Sequence, residues 1–311
     1  MFKFEKSLKM KAQIVHNPTA GKDEHRQEEV EKFVQQGHFS KVKYVSTDEE
    51  GWEDFDKNKS DLIFLAGGDG TVHKLATVLL HSKYQDPRTP IHILPLGTAN
   101  NIAKTLDVVS PYKLHAFDSS KQLQKFDVGR VKGLPGQDSF LEGVGAGLFP
   151  ALIAEMKENP VEVGTANEEL HYTLKRLLKI VKDFKAQQAT IKTSGISITG
   201  RFLLLEVMNI QYIGPNFELA SKADPGDGYF DLVLIPDEKR EELMEYLEKM
   251  LLRQAGEDDL KDLVFSMRIK QAEIKWEDSH VHVDDDLIPE FTGGSFVVSV
   301  DRDRLRFVRN P

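Results

Sequence analysis

Short apolar runs alternate with helix-length amphipathic stretches through the first third of the chain. Ala12–His16 is an apolar run followed by Asn17-Pro18-Thr19-Ala20-Gly21 and a charged helical stretch from about Asp23 to Gln36. Val42–Ser46 reads as a second strand ending at Thr47. Leu62–Ala66 is apolar throughout, the signature of a strand buried on both faces at the centre of a parallel sheet. It runs into Gly67-Gly68-Asp69-Gly70-Thr71, then a helix with Val72, Leu75, Ala76, Leu79 and Leu80 on one face. Ile91–Leu94 is a fourth strand, followed by Pro95-Leu96-Gly97-Thr98 and a helix from Ala99 or Asn100 to Leu106. Repeated strand–turn–helix units predict a doubly wound α/β domain with a parallel sheet, residues 10–127.

Beyond Asp127 the period changes. Helices over about Pro150–Lys157, Ala166–Gln187 and Asp237–Arg253 interrupt strand-rich sequence. Ala189–Thr193, Ile196–Arg201, Phe202–Asn209, Tyr229–Ile235, Val264–Ile269, Ala272–Trp276 and Val281–Val283 read as strands, with Ser194-Gly195 as a two-residue hairpin turn. Many short strands with tight turns predict a mainly antiparallel β-sandwich over residues 128–303. Two final strands, Ser295–Val300 and Leu305–Val308, fit either domain.

The length of 311 residues accommodates two domains. The net charge of −9 argues against nucleic acid, whose binding needs a basic face, and restricts any contact with anionic lipid to a local, transient one. No run approaches the roughly 18 apolar residues of a membrane span. The start, MFKFEKSLKMK, lacks the apolar core of a secretory signal, so a cytoplasmic location is expected. With no cysteine there is no thiolate nucleophile or thiolate metal site.

Three of the four early strands end in loops of Gly, Thr, Asn and Pro. In an α/β sheet such loops gather at the carboxyl edge, where ligands bind. Glycine lets the backbone approach a phosphate, and the following helix offers N–H groups at its positive end. The same composition also makes tight strand-to-helix turns, with Thr71 as a cap. Neither a Gly-Lys-Ser/Thr phosphate loop nor a G-x-G-x-x-G fingerprint is present at these positions.

The segments NPTAG, GGDGT and PLGTANN, in that order and each after a strand, resemble the diacylglycerol kinase catalytic-domain family of lipid kinases. The resemblance continues through Phe126-Asp127-Val128-Gly129, Gly143–Gly147, Asp224-Pro225-Gly226-Asp227-Gly228-Tyr229 and the acidic run Asp284–Asp286. It implies a phosphofructokinase-like first domain, to which about residues 304–311 return, and a β-sandwich second domain. It implies that Asn17, Pro18, Thr19, Ala20, Gly21, Thr47, Gly67, Gly68, Asp69, Gly70, Thr71, Val72, His73 and Thr98 surround ATP. It also implies that Asp227, with Asp224 and the main chain of Tyr229, holds Mg²⁺, and that Asp69, Asp286 and Asp284 are catalytic.

Asp69 is expected in a solvent-facing loop, with Asp127 near the metal. Asp-Gly at 227–228 and Asp-Pro-Gly at 224–226 are equally turn signals. If Val281–Val283 continues as a strand, Asp284 and Asp286 share a face and Asp285 points to solvent. The chain departs from the family pattern at His73-Lys74, at Asn101 and at Asp284-Asp285-Asp286, where the family reads Asp-Gly-Glu. The third residue of that run is the family's proton acceptor, and aspartate reaches less far by about 1.5 Å. His280 and His282 are read as ordinary strand residues. The stretch Ala166–Gln187 sets Leu170, Leu174, Leu177, Leu178, Val181 and Phe184 against His171, Lys175, Arg176, Lys179, Lys182 and Lys185. That pattern suits either core packing or a membrane surface.

The expected activity is an ATP- and Mg²⁺-dependent kinase of a lipid hydroxyl, diacylglycerol first, acting by transient contact with a bilayer. The alternatives are a kinase of a soluble hydroxyl compound, as in NAD kinases, and a catalytically silent nucleotide- or lipid-binding protein. The sequence is open to a homodimer.

Overall fold

The computed structural model describes residues 10–21, 26–37, 39–54, 59–108, 123–160, 166–214, 216–256, 259–260 and 262–309. The expected start of the first helix at Asp23, the amino-terminal run through Lys9 and the last two residues lie outside these. The chain divides into two compact units, Met1–Asp127 with Arg302–Pro311, and Val128–Asp301.

The first unit contains β1 (Lys11–His16), α1 (Gln27–Gln35), β2 (Lys41–Ser46), β3 (Leu62–Gly67), α2 (Asp69–His81), β4 (Ile91–Pro95) and α3 (Asn101–Thr105). From it β5 (Leu123–Lys132) leads into β6 (Ser139–Phe140), β7 (Gly143–Gly147), α4 (Leu148–Glu158), α5 (Ala166–Asp183), β8 (Gln187–Thr193) and β9 (Ile196–Met208). There follow β10 (Phe230–Pro236), α6 (Arg240–Leu251), β11 (Phe265–Ile269), β12 (Gln271–Trp276), β13 (Val281–Val283), β14 (Asp286–Leu287) and β15 (Gly294–Val308).

In the first unit β4, β3, β1 and β2 lie side by side, all parallel. Every residue of β3 is buried, as its unbroken apolar run requires of a central strand. One apolar layer joins Ile14, Phe64 and Leu94 to Phe33 and Val34 of α1. On α2, Val72, Leu75, Ala76 and Leu79 are buried. These two helices fix the loops that leave β1, β3 and β4 at the carboxyl edge of the sheet.

In the second unit every described pairing is antiparallel, in the order β14-β13-β7-β9-β8-β12-β15, with β10 between β9 and β11. Gly195, at φ +80°, closes the β8–β9 hairpin between Thr193 and Ile196. Trp276, Phe140, Phe230 and Phe296 fill the sandwich interior. A second apolar layer packs Leu174, Leu177 and Val181 of α5 and Leu243 and Leu247 of α6 against Leu203 and Val233. Burying such a side chain contributes about 1.5–3 kcal/mol.

Several boundaries differ from the sequence pattern. The stretches expected as Ile196–Arg201 and Phe202–Asn209 form one strand, β9, because its first half is exposed and polar while its second half is buried. The two expected last strands are likewise one, β15. Asp303 sits inside it at φ +59°, and its N–H is taken by the buried Asp127 carboxylate at 2.6 Å. The helix expected to reach Gln187 ends at Asp183. β5, β6, β7 and β14 carry no periodic signal; β7 reads Gly-Val-Gly-Ala-Gly, a composition depleted in strands.

Candidate active site

The loops of the first unit meet through glycines. A Cβ on Gly97 would fall 2.5 Å from the Gly68 Cα, and one on Gly21, at φ +73°, would fall 2.3 Å from the Leu96 carbonyl oxygen. The loops after β1, β3 and β4 therefore touch backbone to backbone, and no side chain fits between them. Asn17 stitches the first to the second: its Nδ2 donates to the Thr71 hydroxyl at 3.0 Å, while its Oδ1 accepts from the N–H and hydroxyl of Thr19. The Thr47 N–H donates to the His16 carbonyl, which brings the end of β2 alongside. Ala20, Gly67, Thr71 and Val72 are buried within this cluster, and Thr19, Gly21, Gly70 and Thr98 are exposed on it. No side chain caps α2 behind Gly68, and a Cβ on Gly70 would meet nothing within 4 Å. An uncapped helix amino terminus beside open glycine backbone is the arrangement that receives a phosphate. The donor set fits a phosphate group.

Asp69 does not sit in a solvent-facing loop. It is the first residue of α2 and is buried, and its carboxylate accepts the N–H groups of Asn101 at 2.8 Å and Ile102 at 3.0 Å. It thus caps α3 from another helix, as acids favour a helix amino terminus. Lys104, one turn on in α3, is pushed down by burial and held up in part by Asp69.

The acidic run of the second unit is a hairpin rather than a continued strand. Val283 pairs with Asp286, so Asp284 and Asp285 form the two-residue turn and the two outer acids do not share a face. Asp284 takes φ +48°, a left-handed conformation that aspartate tolerates. Its buried carboxylate accepts the N–H groups of Leu141, Glu142 and Gly143 at 2.7–3.1 Å, and its own N–H donates to the Gly143 carbonyl. Asp285 and Asp286 are exposed. Of the three acids, Asp284 is thus a main-chain clamp and Asp286 a carboxylate open to solvent.

At the turn before β10, Asp224 accepts the Gly226 N–H at 2.9 Å and Asp227 accepts the Tyr229 N–H at 2.9 Å. The second Asp227 oxygen is ion-paired with Arg268, whose guanidinium lies 4.2 Å over the Tyr229 ring, with the Lys270 ammonium at 4.7 Å. Magnesium takes oxygen ligands. One or two carboxylates beside several waters are its usual protein ligands. The turn thus brings together Asp224, Asp227 and the Tyr229 main chain, which would hold Mg²⁺, with Arg268 sharing the Asp227 carboxylate.

Residues 11–131 match the diacylglycerol kinase catalytic domain, and residues 152–296 match the YegS C-terminal NAD kinase beta sandwich-like domain. The chain belongs to the diacylglycerol kinase-like lipid kinases. It is 25% identical over 255 residues to a protein of Bacillus subtilis named Diacylglycerol kinase, an alignment covering 79% of this chain and 80% of that one. A Shewanella frigidimarina protein named "Probable lipid kinase YegS-like" is 26% identical over 173 residues, 56% of this chain and 54% of its own length. A diacylglycerol kinase structure from Bacillus anthracis superposes with a TM-score of 0.67 over 97% of both chains at 19% identity, a likeness of fold.

The basic helix of this lipid kinase divides in two. Leu174, Leu177 and Val181 are buried, while Lys175, Lys179, Lys182 and Lys185 are exposed. Arg176 belongs to the packed side: it donates to the Glu155 carbonyl at 3.1 Å and the Tyr172 hydroxyl at 2.6 Å. No helix among the described residues is long and apolar enough to cross a membrane. Glu206, which the sequence pattern passed over, and His282, read there as an ordinary strand residue, also stand out in the lipid kinase. Glu206 and His282 are fully buried and face each other, with the His282 Nε2 3.0 Å from one Glu206 oxygen. An acid inside the apolar run of β9 was their one visible signal.

Proposed function

We propose that the enzyme transfers the γ-phosphoryl group of ATP to the free hydroxyl of diacylglycerol, giving phosphatidic acid at a membrane surface. The observation that carries this reading is the backbone-to-backbone meeting of the Asn17–Gly21, Gly67–Thr71 and Leu96–Thr98 loops beside an uncapped helix, inside a diacylglycerol kinase catalytic domain. ATP, entering with Mg²⁺, supplies the phosphoryl group and the charge neutralisation that such transfer needs. The main chain of Gly68 and Gly70 receives phosphate, Asn17 and Thr71 hold the loops in register, and Thr47, His73 and Thr98 border the nucleotide. Asp69 positions α3 rather than touching the reacting atoms.

Asp286 is the proton acceptor. As the lipid oxygen bonds to phosphorus and the bond to ADP breaks, its carboxylate takes the hydroxyl proton. Exposure leaves that carboxylate able to reach a substrate, whereas Asp284 is committed to three backbone N–H groups. The exposed lysines of α5 provide a peripheral, salt-sensitive attraction to anionic lipid.

The test is incubation with labelled ATP and a total lipid extract, followed by mass spectrometry. Labelled phosphatidic acid is the expected product. Label confined to water-soluble acceptors, or no labelled acceptor at all, refutes the reading.

A further inference from the structure

We infer that His282 is a positioning residue of the acidic turn, holding Asp284, and through it Asp286, with a hydrogen bond that requires a proton on Nδ1, which the Glu206–His282 pair secures. This rests on the reading of Asp286 as the proton acceptor.

The row across three strands shows how it is built. Glu206 of β9 is in register with Gly145 of β7, and Gly145 with His282 of β13. Gly145 has no side chain, so the Glu206 carboxylate lies over it and reaches the second strand along. A Cβ on Gly145 would fall 1.9 Å from a Glu206 oxygen. On the other side of the ring, His282 Nδ1 lies 2.6 Å from the main-chain carbonyl oxygen of Asp284, the left-handed residue of the turn.

A carbonyl oxygen only accepts, so Nδ1 must carry a hydrogen for this contact to bind. Nε2 faces a carboxylate and needs one too. With Glu206 ionised only the imidazolium satisfies both partners at once; with the shared proton on Glu206, its O–H donates to Nε2 and the Nδ1–H still holds the Asp284 carbonyl. When the pair loses that proton, one N–H remains, and the buried carboxylate claims it; the Asp284 carbonyl then faces a bare lone pair. Burial alone would lower the His282 pKa, but the Glu206 carboxylate, the Asp284 carbonyl and the nearby Asp284 carboxylate hold it up to about 9. Burial pushes Glu206 up in turn, against the pull of His282. The pair therefore keeps its proton at neutral pH. The other neighbours in register, Gly145 of β7 and Leu287 of β14, carry no titratable group.

The two amide replacements separate the two ring nitrogens. Asparagine places its NH₂ where Nδ1 stands, and glutamine places it near Nε2. His282→Gln should lower kcat by roughly 10–100-fold, the scale of a small misplacement of a catalytic group, with KM for ATP unchanged. His282→Asn should retain most of the rate and lack the alkaline fall in kcat near pH 9 expected of the unmodified enzyme, because an amide does not titrate. Glutamine keeps a donor facing Glu206 and asparagine does not, so His282→Asn should be the less thermally stable of the two and the slower rate of His282→Gln cannot come from lost stability. Equal rates for the two, or an alkaline limb that survives in His282→Asn, overturns the proposal and reduces His282 to packing. In wild-type protein, ¹⁵N-histidine spectra should show His282 Nδ1 protonated at pH 7; a bare Nδ1 overturns it without any variant. Asp286→Asn serves as the control. Full activity there defeats the proton-acceptor reading itself, and the functional role of His282 with it, while leaving the histidine spectra unaltered.

Discussion

The two units prepare their functional loops by opposite means. In the α/β unit the loops are held by the absence of side chains: Gly21, Gly68 and Gly97 let main chain rest on main chain, and Asn17 adds one stitch. In the β-sandwich unit the acidic turn is held by buried charge, with the Asp284 carboxylate on three N–H groups and the Glu206–His282 pair behind it. A glycine cradle is insensitive to pH and, at Gly21, Gly68 and Gly97, intolerant of any added atom. A buried charge cluster tolerates shape changes at its rim but depends on protonation.

The largest effect should come from Asp286, where the turn presents its exposed acid. Asp286→Asn should lower kcat about 10²–10⁴-fold, the usual worth of a general base, with nucleotide affinity retained in a binding assay. Asp285→Asn, one residue away and also exposed, should be nearly neutral; the reverse result would mean the turn presents a different acid than its geometry indicates. Next, Gly97→Ala should destabilise the first unit by about 1–3 kcal/mol through overpacking, read as a lower melting temperature, and weaken nucleotide binding. If it binds ATP normally, the loops are less tightly apposed than the 2.5 Å approach implies.

Asp69→Ala should lose helix-capping energy of about 0.5–2 kcal/mol as well as activity, so its melting temperature should fall. That outcome separates a positioning acid from one that only touches substrate. Smallest is the charge effect of α5. Replacing Lys175, Lys179 and Lys182 with Gln should reduce turnover on anionic vesicles a few-fold at low salt and leave turnover on detergent-dispersed substrate unaltered. Equal losses in both assays would assign these lysines to packing, where Arg176 already belongs.

The contrast also accounts for what the sequence revealed. β3, α2 and the glycine loops were legible because period, apolarity and local turn chemistry act within a few neighbouring residues. The role of Asp69 was not, since its partners Asn101 and Ile102 lie 32 and 33 residues away along the chain. The acidic run looked like a strand with two acids on one face, because nothing local announces that Val283 pairs with Asp286. β7 was invisible for a related reason. Its Gly145 suits a neighbour, Glu206, that is 61 residues distant in sequence, and not the strand it occupies.

Gly70 differs from the other glycines of the cradle. It lies in the first turn of α2, its φ is not positive, and an added methyl group would touch nothing. For folding, alanine would be the better residue there by up to about 1 kcal/mol. A library of substitutions at this position should therefore yield stable proteins, in contrast with Gly68 and Gly97. Glycine at residue 70 gives the fold nothing, so the rank order of melting temperature and turnover across that library should run in opposite directions.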